Sequence, residues 1–399
     1  MVFTSVHRWH RRWFIPIEIA LLVLIALVWW ISSRSPMGKL RASGAPVTID
    51  DLVPAPIADE ENAAAVLTDA ADALAAFRSD LTAFYESDIG RDYDRLDSQT
   101  PLPVAVTAAA EQLLHKHETL GDTLTELARR EQYVPAINEA RFDPQAALRD
   151  VQQWRSLSRY NTLRQRVFLA RGDTWAAIEV AKQTLRLSNH LANEPLTTHR
   201  LVSAAIATVG IEQAERAWRL GDLDGEQIDR LDRALAGIED RVAVRKTLES
   251  ERVFALRALD QFPFYTGLLY REAVLNEFEE VIAICELPTD EAATAVGRLP
   301  PPAGLEPALA PLLTAEIRIL AQSRCLRVAM ALQANDGLID AEALGLPKAT
   351  LADPFTGRPL QIRTDESGGV ASISSAGPDQ LSGEGDDPTG AADNLSISP

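Results

Sequence analysis

The chain has 399 residues, with 39 Lys and Arg against 57 Asp and Glu, for a net charge of −18. Its 46 % apolar content supplies a sizeable core and excludes wholesale disorder. The acidic balance excludes a nucleic-acid partner, because phosphate recognition needs clustered Lys and Arg.

From Phe14 to Ile31 runs an apolar stretch of 18 residues, long enough for about 27 Å of helix. That nearly matches a hydrocarbon core about 30 Å thick, with Trp29 and Trp30 suited to the far interface. Pro16 falls in the first turn, where a missing N–H costs little. Glu18 is a boundary carboxylate, close enough to the start to snorkel or to pair with Arg11 or Arg12. No small-residue cleavage site follows, so the stretch reads as a retained anchor. Basic residues on both sides (Arg8, Arg11 and Arg12; Arg34, Lys39 and Arg41) leave orientation to size. A short stub, residues 1–13, stays inside, and the bulk of the chain translocates. The expected location is the inner (cytoplasmic) membrane, single-pass across 14–31, with the bilayer as one partner.

Residues 32–60 are rich in Pro, Ser and Ala and read as a linker. Residues 61–306 are rich in Ala, Leu, Arg and Glu, and read as a helical domain. Within it Ile178, Ala181 and Leu185 recur at helical spacing, with Glu179, Lys182, Gln183 and Arg186 on the opposite face. Three Gly-Asp pairs, at Gly121, Gly172 and Gly221, suggest turns in which Gly ends one helix and Asp caps the next. Leu287 to Pro307, with a Pro triplet, reads as a break. An end module, 307–399, follows. It opens with a helix marked by Ala321, Cys325, Val328 and Leu332 and closed at Asn335 to Gly337.

Catalytic signatures are absent: there is no H-E-x-x-H, P-loop, G-x-G-x-x-G or G-x-S-x-G. His115 and His117 are too close in sequence to share a helix face and read as surface histidines. His190 and His199 have no ligand cluster at metal spacing. Cys285 and Cys325, the only cysteines, read as two buried thiols, or as one disulfide outside the cytoplasm. A hydrolase with an unrecognised active site in the helical domain stays open as an alternative.

The end module carries the most specific stretch, Asp353-Pro354-Phe355-Thr356-Gly357-Arg358-Pro359. Pro354 and Gly357 bracket a turn, Leu360 and Ile362 alternate with Gln361 and Arg363 as in a half-buried strand, and "VASIS" (370–374) reads as a second strand. Residues 364–399 contain no Lys or Arg but seven acids, five of them between Asp379 and Asp393. Calcium takes six to eight oxygens from loops of this kind, whereas a solvated acidic tail is the other reading.

The order of these motifs resembles the globular domain of major pseudopilins of type II secretion. In that family a helix closes near "ALxxYxxDNGxYP", here "AMALQANDGLID". It is followed by Asp-Pro-(Trp/Phe)-Gly-x-Pro, here Asp353 to Pro359, and then by a calcium loop. Phe14 with Glu18 four residues on is similar to the start of a mature pilin helix, although Trp13 replaces the Gly that pilin processing needs. The resemblance covers about 80 residues. It implies calcium held by Asp379, Asp386, Asp387 and Asp393, and a pseudopilin-related scaffold that docks envelope or secretion proteins. The fold expected is mainly α: a transmembrane helix, a multi-helix extracytoplasmic region and a small pseudopilin-like α/β end module.

Overall fold

The computed structural model describes residues 36–97, 99–135, 137, 144–239, 244–260, 264–299, 309–335, 344–364, 370–378 and 395–397. The apolar run 14–31 lies outside them, as do Asp379, Asp386, Asp387 and Asp393. Among the described residues no helix is long and apolar enough to cross a membrane.

The chain is mainly helical. α1 (Pro36–Ala42) is followed by α2 (Ala63–Asp69), α3 (Ala71–Glu86), α4 (Asp88–Arg95), α5 (Val104–Lys116) and α6 (Thr119–Arg129). The long helices come next: α7 (Pro144–Ala170), α8 (Thr174–Leu191) and α9 (Thr197–Leu220). Then come α10 (Gly225–Ala236), α11 (Val244–Leu259), α12 (Phe264–Ile284), α13 (Thr289–Val296) and α14 (Leu309–Ala334). Three short strands, β1 (Gln361–Thr364), β2 (Val370–Ser375) and β3 (Leu395–Ile397), form an antiparallel sheet in that order.

Only one Gly-Asp pair makes the expected turn. Gly172 has φ 74° and ends α7, and the Asp173 carboxylate accepts the Ala176 N–H at 3.0 Å to cap α8. Gly121 lies inside α6, and Gly221 ends α9 in extended conformation, with φ −94°. The cap of α10 is Asp224, in a reciprocal capping box with Gln227. A dipeptide does not fix a turn when the flanking residues favour continuing the helix.

Three large apolar clusters hold most of the buried side chains. The first joins α2–α7, around Phe77, Leu124 and Trp154. The second joins α8, α9, α10 and α14, and the third joins α11–α13 with the start of α14. α9 runs through the middle and touches α7, α8, α10, α11 and α14. Its Gly210 lets α8 approach closely: a Cβ there would stand 2.7 Å from Leu185 Cδ2. Ile178, Ala181 and Leu185 are buried as expected, but so is Gln183, assigned above to the solvent side. α6 and α7 cover that side of α8, and Gln183 there accepts from Arg164 Nη1 at 3.2 Å.

Two further expectations are corrected. The stretch read as a break contains α13, because Pro288 begins a helix rather than ending one, and Asp290 and Glu291 suit its first turn. His117 is buried, not a surface residue. It closes α5, and its Nε2 lies 2.7 Å from the Asp80 carboxylate of α3. The end module also shares its apolar interior with the helices: Leu344, Leu360, Ile373 and Ile397 belong to the second core.

Buried ion pairs fasten α14 in place. Arg200 of α9 is almost wholly enclosed and donates to both Glu316 oxygens, at 2.6 and 3.0 Å. Arg327 donates to Asp232 at 2.7 Å and to Glu239 at 2.8 Å. Breaking such a pair by removing one partner typically costs about 3–5 kcal/mol, since it leaves a buried charge uncompensated.

Candidate partner-binding groove

The Asp-Pro-Phe-Thr-Gly turn is organised by a single carboxylate. Asp353 is buried, and its Oδ1 accepts from the Phe355 N–H at 3.0 Å and the Ser375 hydroxyl at 2.8 Å. Its Oδ2 accepts from the Thr356 hydroxyl at 3.1 Å and the Ala376 N–H at 2.9 Å. Gly357 completes the turn at φ 67°, where a side chain would strain the backbone and strike the Asp290 carboxylate. The turn drives Phe355 into the molecule, where it is 2 % exposed and packs with Ala293, Ile317 and Ala321.

Phe355 and Pro378 border an apolar groove of about 650 Å³. Its walls are Leu201, Ala204 and Thr208 of α9, Ala293 and Val296 of α13, and Ala315 and Ile319 of α14. Small side chains on three helices keep the groove open, and the groove lies where the helical body meets the end module. Pro378, the last described residue before the acidic segment in the sequence, is at its rim. β2 and β3 pair Ser375 with Leu395, the described residues that flank 376–394 in the sequence. Asp353 holds the first of these residues by its N–H. Asp353 therefore serves structure, and its oxygens are filled by four donors.

A second concavity, about 500 Å³, lies between residues 46–54, residues 131–137, the turn before α9 and the start of α11. Four carboxylates line it, those of Asp51, Glu131, Glu194 and Glu249, and three of them have structural tasks. Asp51 accepts the Val47 and Thr48 N–H groups, which lower its pKa. Glu249 accepts from Arg245 at 2.8 Å, and Glu194 accepts the Tyr133 hydroxyl. Beneath, the Tyr133 ring meets Trp154 and His190. His190 Nε2 donates to the Leu127 carbonyl at 3.0 Å. Burial, with Arg186 nearby, pushes this imidazole down to about 4, so it is neutral at ordinary pH.

The other sequence candidates are scattered. His115 is exposed, and His199 is buried in α9. Both cysteines are free, Cys285 half-buried and Cys325 fully buried, and burial raises their thiols to about 11 and about 12. Among the described residues no group of three or more His, Cys, Asp or Glu is placed to hold a metal. The four aspartates expected to bind calcium lie outside the described residues. Sequence reasoning missed the groove, which forms where α9 meets α13 and α14, about a hundred residues further along the chain. It read the Asp353 turn but not its hub, although an Asp that begins a Pro- and Gly-bearing turn was a usable signal.

No protein-family model, curated protein or solved structure matches this chain.

Proposed function

We propose that this protein is a single-pass membrane scaffold that holds a helical body outside the cytoplasm and docks an envelope or secretion protein. The observation that carries the reading is the apolar groove among α9, α13 and α14, bordered by Phe355. An open apolar channel with small side chains on its walls is suited to side chains from a partner helix. The acidic segment that follows Pro378 in the sequence supplies charge for orientation, and calcium held by Asp379, Asp386, Asp387 and Asp393 would order that segment. The pseudopilin-like order of motifs supports a place near secretion machinery, and the apolar run 14–31 supports the anchor. Three of the four carboxylates in the second concavity, Asp51, Glu194 and Glu249, are committed to structural bonds, which leaves Glu131 without a paired acid and favours the scaffold over the hydrolase.

The test is a photo-crosslinking amino acid placed at Thr208, on the groove wall, and at exposed Val104 in the intact chain in its native membrane. A discrete protein adduct from position 208, absent from position 104 and lost with Ala293→Glu, supports docking. Equal or absent adducts from both positions would refute it. A reporter active only outside the cytoplasm, fused after Pro399, is expected to be active; activity only when it is fused before Val2 would reverse the orientation.

A further inference from the structure

We infer that the outward face of α13 is a second docking surface, and that it takes a partner helix lying antiparallel to α13. That helix sets a basic residue against the N-terminal end of α13 and an acidic residue against its C-terminal end. The surface is a different side of α13 from Ala293 and Val296, and it does not depend on the groove being filled.

A concavity of about 470 Å³ lies between α13 and the outer side of the Asp353 turn. Asp290, Thr294 and Arg298, four residues apart, form one ridge along its helical wall, and Glu291 and Ala295 form the next. Adjacent ridges of this kind are what a second helix packs against. Small side chains at the centre, Thr294 and Ala295, let it come close. Leu287, 40 % exposed, adds an apolar side chain just before the acidic end.

The charges on this face are not used within the chain. Among the described residues, Asp290, Glu291, Arg298 and Arg358 have no ion-pair partner and no side-chain hydrogen bond. Arg200, Arg252 and Arg327, by contrast, are each paired with a carboxylate. Asp290 and Arg298 stand about 12 Å apart along the helix, too far to pair with each other. The turn presses on Asp290, since a Cβ on Gly357 would stand 2.5 Å from its Oδ2. Arg358 therefore borders the acidic end, which still keeps one net negative charge. The face is negative at its start, small at its centre and positive at its end.

That pattern selects the occupant. An apolar segment would take these charges from water and return nothing. Helices favour acids in the first turn and bases in the last, because both suit the helix dipole. Packed antiparallel, such a helix sets its basic end on Asp290 and Glu291 and its acidic end on Arg298. Packed parallel, it meets like charge at both ends. Exposed charges of this kind decide partner and orientation more than affinity.

The experiment places a photo-crosslinking amino acid at Leu287 or Ala295 of the full chain in its native membrane. Thr208 reports the groove, and Val104 is the control. Both new positions are expected to capture one partner segment, with the residue captured from Ala295 N-terminal to that captured from Leu287. Arg298→Glu and Glu291→Lys are each expected to cut the yield at both positions about fivefold, whereas Arg298→Lys keeps it. A salt series on chains with native charges needs no reversal, and yield is expected to fall as salt rises. The reverse order along the partner, or yields indifferent to charge reversal and to salt, would overturn the inference. Adducts at Thr208 with none at Leu287 or Ala295 would overturn it and spare the groove. Adducts at Leu287 and Ala295 alone, in the expected order and sensitive to charge, would uphold it and count against the groove. No adduct at any of the three positions would refute both.

Discussion

Asp353→Asn tests whether the Asp-Pro-Phe-Thr-Gly turn is held by one carboxylate. Each oxygen of Asp353 accepts one backbone N–H, from Phe355 on one side and Ala376 on the other, as well as one hydroxyl. The hydroxyls can rotate and accept from an amide, but the N–H groups cannot. In either orientation the asparagine NH2 therefore faces a backbone N–H that loses its acceptor in a buried site. An unsatisfied buried donor costs about 1–3 kcal/mol, and bonds to charged groups stand at the upper end. A loss of about 2 kcal/mol lowers the local opening constant's protection about 30-fold. The assay is hydrogen exchange of the full chain, read at the Phe355 and Ala376 amides, with the amide of Leu185 as an internal reference. One of the two amides is expected to lose protection while Leu185 keeps it. Asp353→Ala, which removes all four acceptor contacts, is expected to release both. Unchanged protection at both amides in the asparagine variant would mean that the turn is held by Phe355 packing and the carboxylate is incidental.

Three other outcomes follow from the same geometry. Gly210→Ala is expected to lower Tm, because overpacking against Leu185 costs about 1–3 kcal/mol and exceeds the roughly 1 kcal/mol gained in helix propensity; a higher Tm would show that α8 and α9 can move apart freely. His190 has a folded pKa of about 4 against 6.5 for the free side chain, so the unfolded chain takes up the proton first as pH falls. Its contribution is complete above pH 6.5 and is lost progressively down to about pH 4, amounting to about 3 kcal/mol. Denaturation at both ends of that window should show less acid destabilisation in His190→Gln, and equal slopes would refute the burial argument. Finally, calcium is expected to raise the melting temperature of the full chain and protect residues 379–393 from proteolysis, with magnesium a poor substitute and Asp379→Ala abolishing the gain. Superimposable curves in calcium, magnesium and chelator would make these acids a solvated tail.

By itself the sequence determined the helical class, the Asp353 to Pro359 turn followed by a strand pair, and the apolar faces of α8 and α14. Each of these depends on interactions within a few residues: periodicity, Pro and Gly torsions, and alternation. Asp173 was legible as a cap for the same reason. Tertiary structure decided which polar residues are buried. Gln183 and His117 carry ordinary surface chemistry, and only the covering of α8 by α6 and α7, and of α5 by α3, takes them from water. It also decided that Pro288 starts a helix, since Ala292, Ala293 and Val296 gain burial there. The groove was beyond local reading altogether. Its α9 wall stands about a hundred residues from the α13 and α14 walls in the chain, and contacts at that separation are chosen by which faces bury each other, not by the propensity of either segment.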